Sequence, residues 1–390
     1  MSPTPPLSLY LHIPWCVRKC PYCDFNSHAG GKPDEPAYVK ALLTDLEQEL
    51  PLVKGRTLTS IFIGGGTPSL FSGTAIGELL DGVRARIGIE KTAEINLEAN
   101  PGTLEAGRYR EYRQAGVNRL SIGVQSFDDQ KLQTLGRIHS RSEALAAIEQ
   151  AKSAGFENLN LDLMYGLPSQ TVEQALADVR TAIETGPSHI SYYQLTLEPG
   201  TAFEHNPPEL PDDDLLAEIE EAGREELQKA GYRQYEISAF ARPGKECKHN
   251  LNYWRFGDYL GIGAGAHGKL TVGDKIERRW RVGSPERYIE TAGTQACIAG
   301  TRVLQEADRI AEFMLNALRL TAGFTPALFQ ERTGLPWERI AERVELLERR
   351  GLLERADDSI RPTPHGHRFL NEILMHFLPE TEADSQLYSV

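Results

Sequence analysis

The chain contains no long apolar run, and nowhere does it approach the roughly 18 consecutive apolar residues of a membrane-spanning helix. Basic residues are few, with 42 Lys and Arg against 55 Asp and Glu, and this formal net charge of −13 argues against broad nucleic-acid binding. The first residues lack a basic segment followed by an apolar core, so we see no secretory signal. These absences exclude a membrane channel. The 390 residues, 40% of them hydrophobic, are enough for two or three globular domains.

Cysteine is scarce as well, and its five positions are uneven: Cys16, Cys20 and Cys23 fall within eight residues, whereas Cys247 and Cys297 are isolated. An odd, clustered set is a poor disulfide framework. It is typical of metal ligands in a reducing compartment. We therefore expect free thiols, a metal site on the first loop and a cytoplasmic location.

The first half of the chain alternates strand-like and helix-like patterns. Period-two alternation and short apolar runs predict strands, and amphipathic stretches of helical spacing separate them. The predicted strands are 7–13, 60–63, 93–97, 119–124, 158–164 and 189–197, and the predicted helices are 37–50, 74–87, 104–115, 142–154 and 172–185. Six βα units in series predict an α/β fold with a parallel sheet, either a partial, open (β/α)6 barrel or a doubly wound sheet.

Polar or glycine-rich segments follow the predicted strands at their carboxyl ends. In chain order they are Cys16–Cys23, Gly64–Pro68, Glu98–Pro101, Gln125–Ser126, Asp162 with Tyr165–Pro168, and Glu198–Gly200. Barrel-type folds carry their chemistry at this face. Six such segments in register therefore predict the rim of an active site.

The rest of the chain divides into three further parts. A predicted helix at 212–230 ends a barrel domain of residues 1–230, and 231–304 is expected to be a less regular, glycine- and aromatic-rich extension. The pattern of residues 305–378 predicts a small, mostly helical domain with the element order of a winged helix. Residues 379–390 are expected to form a polar tail. The expected helices are 306–320, 337–350 and 365–377, with a hairpin near 351–362. Arginines and glutamates balance on helix 337–350, which favours protein docking over phosphate binding.

Three thiols on one tight loop leave two metal chemistries open. Soft thiolates select zinc or iron–sulfur clusters. A structural zinc site needs four ligands, so that His12 or His28 would have to complete it. Three thiolates alone would instead leave one iron of a [4Fe–4S] cluster free to bind another ligand.

The spacing Cys-x3-Cys-x2-Cys, with Tyr22 before the last Cys, resembles the signature of the radical S-adenosylmethionine (SAM) superfamily. The longer string Tyr10–Cys16 is similar to the anaerobic coproporphyrinogen III oxidase family, which includes the HemW branch of haem chaperones. The resemblance implies a [4Fe–4S] cluster on Cys16, Cys20 and Cys23, with SAM on the fourth iron. It further implies that SAM is contacted by Tyr10, Gly65, Gly66, Thr67, Glu98, Gln125, Arg137 and Asp162.

Two departures from the oxidases favour the haem-chaperone branch. Phe25 stands where the oxidases have a fourth cysteine, and only fifteen residues precede Cys16. Both differences argue against decarboxylation of coproporphyrinogen III. The alternatives are an oxygen-independent coproporphyrinogen III oxidase or another radical SAM enzyme and, more remotely, a zinc-stabilised regulatory protein.

The string His249-Asn-x-x-Tyr253-Trp254 resembles a motif of the HemW branch, whose members bind haem and are thought to deliver it to acceptor proteins. Neutral histidine is a good axial ligand of haem iron, and the two aromatic rings offer flat faces to a porphyrin. His249 is therefore the expected haem ligand, with Cys247 as the alternative. The expected partners are haem and haem-accepting proteins, without nucleic acid or a membrane span; peripheral membrane association stays open.

Overall fold

The computed structural model describes residues 4–31, 33–102 and 107–379. In these ranges sixteen strands are found: β1 (Leu7–Ile13), β2 (Trp15–Cys16), β3 (His28–Ala29), β4 (Thr57–Gly65), β5 (Gly88–Ala99), β6 (Arg119–Gln125), β7 (Leu159–Tyr165), β8 (His189–Gln194), β9 (Arg233–Glu236), β10 (Ala239–Ala241), β11 (Asp258–Ile262), β12 (His267–Val272), β13 (Lys275–Arg281), β14 (Ile298–Val303), β15 (Leu353–Ala356) and β16 (Ser359–Pro362). Twelve of them form one sheet in the order β14-β13-β12-β11-β1-β4-β5-β6-β7-β8-β10-β9.

Helices connect the strands. Within the described ranges they are α1 (Glu35–Glu49), α2 (Gly73–Arg84), α3 (Tyr109–Ala115), α4 (Asp129–Thr134), α5 (Arg141–Ser153), α6 (Val172–Thr185), α7 (Ala202–His205), α8 (Asp213–Lys229), α9 (Lys248–Trp254), α10 (Pro285–Thr291), α11 (Glu306–Ala317), α12 (Pro326–Thr333), α13 (Glu338–Arg349), α14 (Pro364–Arg368) and α15 (Leu370–Met375). Their ends follow local signals, such as the capping box of Ser140 and Glu143 at α5 and the left-handed Gly186 after α6.

The six predicted strands and the helices between them are confirmed. Strands β1 and β4–β8 pair in parallel, in chain order. The predicted helix 104–115 is present as Tyr109–Ala115, and residues 103–106 at its start lie outside the described residues.

The two faces of this parallel sheet differ in polarity, and the difference identifies an open barrel. Alternate residues on one face, such as Leu9, Ile61 and Leu120, are buried and apolar and belong to the main hydrophobic core. The opposite face is polar and carries Ser8, Tyr10, Ser60, Glu94, Asn96, Glu98, Ser121, Asn160, Asp162, His189 and Ser191. A doubly wound sheet is apolar on both faces because helices cover both. Here the polar face instead lines the inside of a partial barrel.

Residues 231–304 are more regular than their composition indicated. They supply β9–β14, which extend the sheet at both edges of the barrel: β10 pairs antiparallel with β8, and β11 pairs parallel with β1. Strands β12–β14 then continue antiparallel. The expectation of a less regular stretch was wrong because short strands rich in glycine and charge carry weak periodicity, and their pairing partners lie far away in sequence.

The C-terminal region contains α11–α13, the hairpin β15–β16, and then α14 and α15, the element order expected of a winged helix. The helix predicted at 365–377 is two short helices that meet at Phe369. Phe313 lies at the centre of a separate hydrophobic cluster, with ring centroids 5.1 Å from Phe324 and 5.2 Å from Phe329. Phe256 joins this cluster, so the region packs against the barrel extension.

Candidate functional site

The cysteine loop lies at the carboxyl ends of the barrel strands. Cys16, Cys20 and Cys23 are free thiols, all partly exposed, and the Cys23 N–H donates to the Cys20 carbonyl at 3.1 Å, which makes the loop a tight turn. The Asn26 amide fixes its far end by donating to the carbonyls of Ala264 (2.9 Å) and Gly283 (3.0 Å). The loop is therefore attached to the barrel extension, with its sulfur atoms accessible.

Polar groups lie beside each sulfur atom. The Thr67 hydroxyl donates to Cys16 Sγ at 3.5 Å, Arg137 Nη1 donates to Cys20 Sγ at 3.7 Å, and Ser27 Oγ lies 3.9 Å from Cys23 Sγ. Burial raises the pKa of Cys16 and of Cys23, although these neighbours partly oppose the rise. Hydrogen bonds to sulfur stabilise thiolates and tune iron–sulfur clusters, so the surroundings suit metal-bound sulfur.

The glycine run after β4 packs directly against the base of this loop. The Gly66 N–H donates to the Ile13 carbonyl at 2.8 Å and the Thr67 N–H to the Trp15 carbonyl at 2.7 Å. A Cβ on Gly66 would stand 2.6 Å from the Trp15 carbonyl oxygen, closer than two non-bonded atoms approach. Gly65 has a φ of 118°, which only glycine adopts easily. The glycines thus allow the end of β4 to reach the cysteine loop.

Asn100 connects two of the predicted SAM-binding residues, although it was not itself predicted as a site residue. Its Nδ2 donates to Thr67 Oγ1 at 3.0 Å, and its Oδ1 accepts from Arg137 Nη2 at 2.7 Å. Arg137 also donates to the Gly123 carbonyl at 2.8 Å. Its Nε is buried and finds no acceptor among the described residues. Arg137 therefore keeps one donor available for an anionic group. The position of Asn100, two residues after Glu98 at a strand end, was the only sequence signal for it.

Two acidic residues of the predicted set, Glu98 on β5 and Asp162 on β7, lie on the same polar face of the sheet. Glu98 accepts the Gly65 N–H at 3.1 Å, and burial together with the charge of Asp162 raises the pKa of Glu98 to about 8. Asp162 accepts from the Ser121 hydroxyl at 3.2 Å and from Asn160 Nδ2 at 2.8 Å. Burial raises the pKa of Asp162 as well. These carboxyl groups can accept hydroxyl donors or, when protonated, donate.

Gln125 and Tyr10 complete the predicted set. Gln125 ends β6 with a φ of 68°, a strained value for a residue with a side chain, and its Oε1 accepts from the Tyr193 hydroxyl at 2.7 Å. The Tyr10 hydroxyl lies 3.0 Å from His12 Nδ1, and burial raises the pKa of Tyr10. The structure therefore brings the eight predicted SAM-binding positions and the three cysteines to the same end of the barrel.

The three thiols fit an iron–sulfur cluster by their chemistry, since thiolates are the usual ligands of such clusters. Across residues 4–31, 33–102 and 107–379, no three His, Cys, Asp or Glu side chains are grouped to hold one ion. Thiolates on one tetrahedral ion lie close together, whereas thiolates that bind different irons of a cluster stand further apart. His12 is not available as a fourth zinc ligand, because both of its ring nitrogens have hydrogen-bond partners. The Asn26 carbonyl oxygen lies 2.8 Å from Nε2, and the Tyr10 hydroxyl lies 3.0 Å from Nδ1.

His249 lies far from the cysteines, on α9, which packs against the amino-terminal half of β4. Its side chain is buried, with Nδ1 3.0 Å from Ser60 Oγ and Nε2 2.8 Å from the Tyr253 hydroxyl. Burial lowers the pKa of His249 to about 3. Cys247 is also buried, with its Sγ 3.3 Å from Glu94 Oε1, and burial raises its pKa to about 12. The haem-ligand role of either residue stays a prediction.

Two family models match the chain. The Radical SAM superfamily model matches residues 10–182, and the HemN C-terminal domain model matches residues 304–369. The solved structure of coproporphyrinogen III oxidase (HemN) from Escherichia coli, a radical SAM enzyme, has a TM-score of 0.80 and 25% identity to this chain. The match covers 96% of this chain and 90% of that chain. The chain therefore has the fold of a radical SAM protein with a HemN-type C-terminal region.

Curated relatives define the family more narrowly. The chain is 50% identical to the heme chaperone HemW of Escherichia coli (strain K12) over 382 residues, 97% of this chain and 100% of that protein. It is 50% identical to the heme chaperone HemW of Haemophilus influenzae, again over 97% of this chain and 100% of that protein. A mitochondrial mouse protein, radical S-adenosyl methionine domain-containing protein 1, is 36% identical over 96% of this chain and 88% of its own length. The chain belongs to the HemW family within the radical SAM superfamily.

No helix in the described ranges is long and apolar enough to cross a membrane.

Proposed function

We propose that the protein is a haem chaperone that binds haem, a [4Fe–4S] cluster and SAM, and transfers the haem to acceptor proteins. The observation that carries this proposal is the 50% identity, over nearly the whole chain, to proteins named heme chaperone HemW. The geometry of the barrel mouth supports the cofactor part of the proposal. The cytoplasm remains the predicted location because a cluster on partly exposed thiols requires a reducing compartment.

Cys16, Cys20 and Cys23 would hold the cluster. Together, a cluster and SAM supply one-electron chemistry. Thr67 and Arg137 donate hydrogen bonds to two of the sulfur atoms and so stabilise their thiolate form.

The remaining polar groups of the mouth suit SAM. The unpaired Nε of Arg137 can donate to the carboxylate of SAM, since guanidinium groups bind carboxylates through charge-assisted hydrogen bonds. Glu98, Gln125 and Asp162 present acceptors from neighbouring strands for the ribose hydroxyls. Tyr10, Gly65 and Gly66 complete the proposed set, and the Gly65 N–H donates to Glu98 at 3.1 Å.

An oxygen-independent coproporphyrinogen III oxidase is the second candidate, favoured by the TM-score of 0.80 to HemN. Phe25 argues against it, because it occupies the position of the oxidases' fourth cysteine. Its ring is 63% exposed, so this position offers an apolar surface in place of a thiol.

The test uses the full chain, purified and reconstituted without oxygen. Haem is titrated by its Soret absorption, and the loaded protein is mixed with the haem-free form of a b-type cytochrome. We expect stoichiometric haem binding and transfer faster than from free haem at the same concentration. In parallel, coproporphyrinogen III is supplied with SAM and a reductant, and we expect no decarboxylation. Decarboxylation without haem binding would reverse the assignment in favour of the oxidase.

A further inference from the structure

The side chain of Asn100 lies between two of the groups that donate hydrogen bonds to the cysteine sulfur atoms. Its Oδ1 accepts from Arg137 Nη2 at 2.7 Å, and its Nδ2 donates to Thr67 Oγ1 at 3.0 Å. Arg137 donates in turn to Cys20 Sγ at 3.7 Å. Thr67 donates to Cys16 Sγ at 3.5 Å. One amide is therefore connected to two of the three sulfur atoms, each time through one further residue.

The orientation of this amide follows from the chemistry of its partners. A guanidinium group carries only donors, so the atom of Asn100 that faces Arg137 must be the oxygen. The amide nitrogen then faces Thr67 and donates to its hydroxyl oxygen. Because that oxygen accepts this hydrogen bond, the hydroxyl hydrogen of Thr67 points away from Asn100, towards the sulfur of Cys16. The direction of the hydrogen bond to Cys16 is thus set by Asn100.

We propose that Asn100 is a positioning residue that directs the hydrogen bonds of Thr67 and Arg137 to the cysteine sulfur atoms and thereby raises the reduction potential of the cluster. This proposal rests on the cluster of the proposed function. Hydrogen bonds to sulfur and a nearby positive charge stabilise the electron that a cluster gains on reduction. A neutral amide orients both donors without cancelling the charge of Arg137.

The barrel holds Asn100 from several sides. Its N–H donates to Ser69 Oγ at 3.3 Å, and its carbonyl accepts from the Tyr109 hydroxyl at 3.5 Å. Arg137 Nη2 is shared between Asn100 and the Gly123 carbonyl, which lies 2.8 Å away. A Cβ on Gly123 would stand 3.4 Å from Arg137 Nη2 and 3.6 Å from Asn100 Oδ1, so the pair packs against a residue without a side chain. These contacts come from the ends of barrel elements, outside the cysteine loop.

Two substitutions of Asn100 separate its roles. Asn100→Asp keeps the size of the side chain but replaces the amide donor by a second acceptor oxygen. The Thr67 hydroxyl would then donate to this carboxylate, because hydrogen bonds to ionised acceptors are stronger than neutral ones. Asn100→Ala removes the amide and offers no new acceptor, so Thr67 can still donate to Cys16, while Arg137 loses one of the groups that hold it.

The experiment measures the reduction potential of the cluster in the full chain, reconstituted without oxygen and without SAM, by redox titration of the electron paramagnetic resonance signal. Thr67→Val is introduced into the wild type, Asn100→Ala and Asn100→Asp. We expect it to lower the potential in the first two, because a hydrogen bond to Cys16 is lost. In Asn100→Asp we expect no further decrease, since the hydroxyl has already turned away; such non-additivity measures the coupling of the two residues.

The single substitutions have their own expected order. Asn100→Asp should lower the potential most, because it turns the Thr67 hydroxyl and also adds a negative charge beside Arg137. Asn100→Ala should lower it less. Asn371→Asp is the matched control: it adds the same charge at an exposed position on α15, and its potential should equal that of the wild type. Iron and sulfide contents are determined for every variant.

An equal decrease on Thr67→Val in the wild type and in Asn100→Asp would overturn the proposal. A potential of Asn100→Ala equal to that of the wild type would overturn it as well, and this outcome decides even where Asn100→Asp binds no cluster. A wild type that gains no iron and sulfide on reconstitution would instead overturn the cluster of the proposed function, so the two failures are distinguishable.

Discussion

The two ends of the barrel are both rich in polar residues, but they differ in how those residues are paired. At the amino-terminal end, Arg119 Nη1 donates to Asn158 Oδ1 at 2.7 Å and lies 3.9 Å from Glu94, while both ring nitrogens of His189 and of His249 are engaged. At the mouth, three thiols are free and the Nε of Arg137 lacks an acceptor among the described residues.

This difference separates structural from ligand-binding polar groups. A buried polar group that is fully hydrogen-bonded contributes to one unique packing arrangement, whereas an unsatisfied one is costly unless a ligand completes it. Asn96, between the two ends on β5, is fully buried, and neither of its amide atoms has a hydrogen-bond partner within residues 4–31, 33–102 and 107–379.

The largest effect is expected at the mouth. Replacing Cys16, Cys20 and Cys23 together by Ala should remove the iron and sulfide of the cluster, because it removes all three proposed thiolate ligands. The unfolding midpoint of the apo-protein should barely change, since the three side chains are only partly buried. Cys297→Ala, which removes a buried thiol outside the cysteine loop, is the control and should retain the cluster. Stoichiometric zinc without sulfide in the wild type would contradict the cluster assignment.

At the opposite end, Arg119→Met should destabilise the fold by about 3–5 kcal/mol, since it leaves Glu94 buried without its cation. Urea unfolding measures this change. Arg180→Ala is the control: its ion pair with Glu226 lies at the surface, where water screens it, so the urea midpoint should stay close to that of the wild type. If Arg119→Met lowered the free energy of unfolding no more than the control does, the amino-terminal end would not be the structural region that we describe.

A smaller effect is expected where the glycine run contacts the cysteine loop. Gly66→Ala should cost about 1–3 kcal/mol, because the new Cβ meets the Trp15 carbonyl, a backbone atom that cannot move aside easily. Gly77→Ala on α2 meets nothing nearer than the Ala115 Cβ at 3.8 Å, and it should stabilise the helix by about 0.5–1 kcal/mol. Thermal unfolding compares the two. Equal midpoints for both variants would contradict the close contact at Gly66.

A further effect expected at the mouth is a pH dependence of stability. Because the pKa of Glu98 is raised to about 8 from 4.5, the folded protein keeps a proton that the unfolded chain releases above pH 4.5. This contribution to stability is complete below pH 4.5 and is lost as the pH rises through 8. We expect the free energy of unfolding of Glu98→Gln to fall less between pH 5 and 9 than that of the wild type. Parallel pH profiles for variant and wild type would show that Glu98 is ionised throughout.

Much of this fold follows from local sequence. Strand alternation, helix caps and glycine stops specified the six βα units, because each is a property of neighbouring residues. The common position of the strand ends followed as well, since successive βα units with right-handed crossovers place the carboxyl ends of parallel strands at one edge. The cysteine spacing and the Gly64–Pro68 turn indicated a site at that edge.

The sequence by itself therefore determined the elements of the barrel, the cysteine loop and the side of the sheet on which the site lies. Tertiary structure alone decided the pairings: Asn100 with Arg137, 37 residues apart, and His249 with Ser60, 189 apart. The physical reason is that side-chain hydrogen bonding and ring stacking depend on strand register and distance. Those quantities are fixed only when elements far apart in the chain pack together.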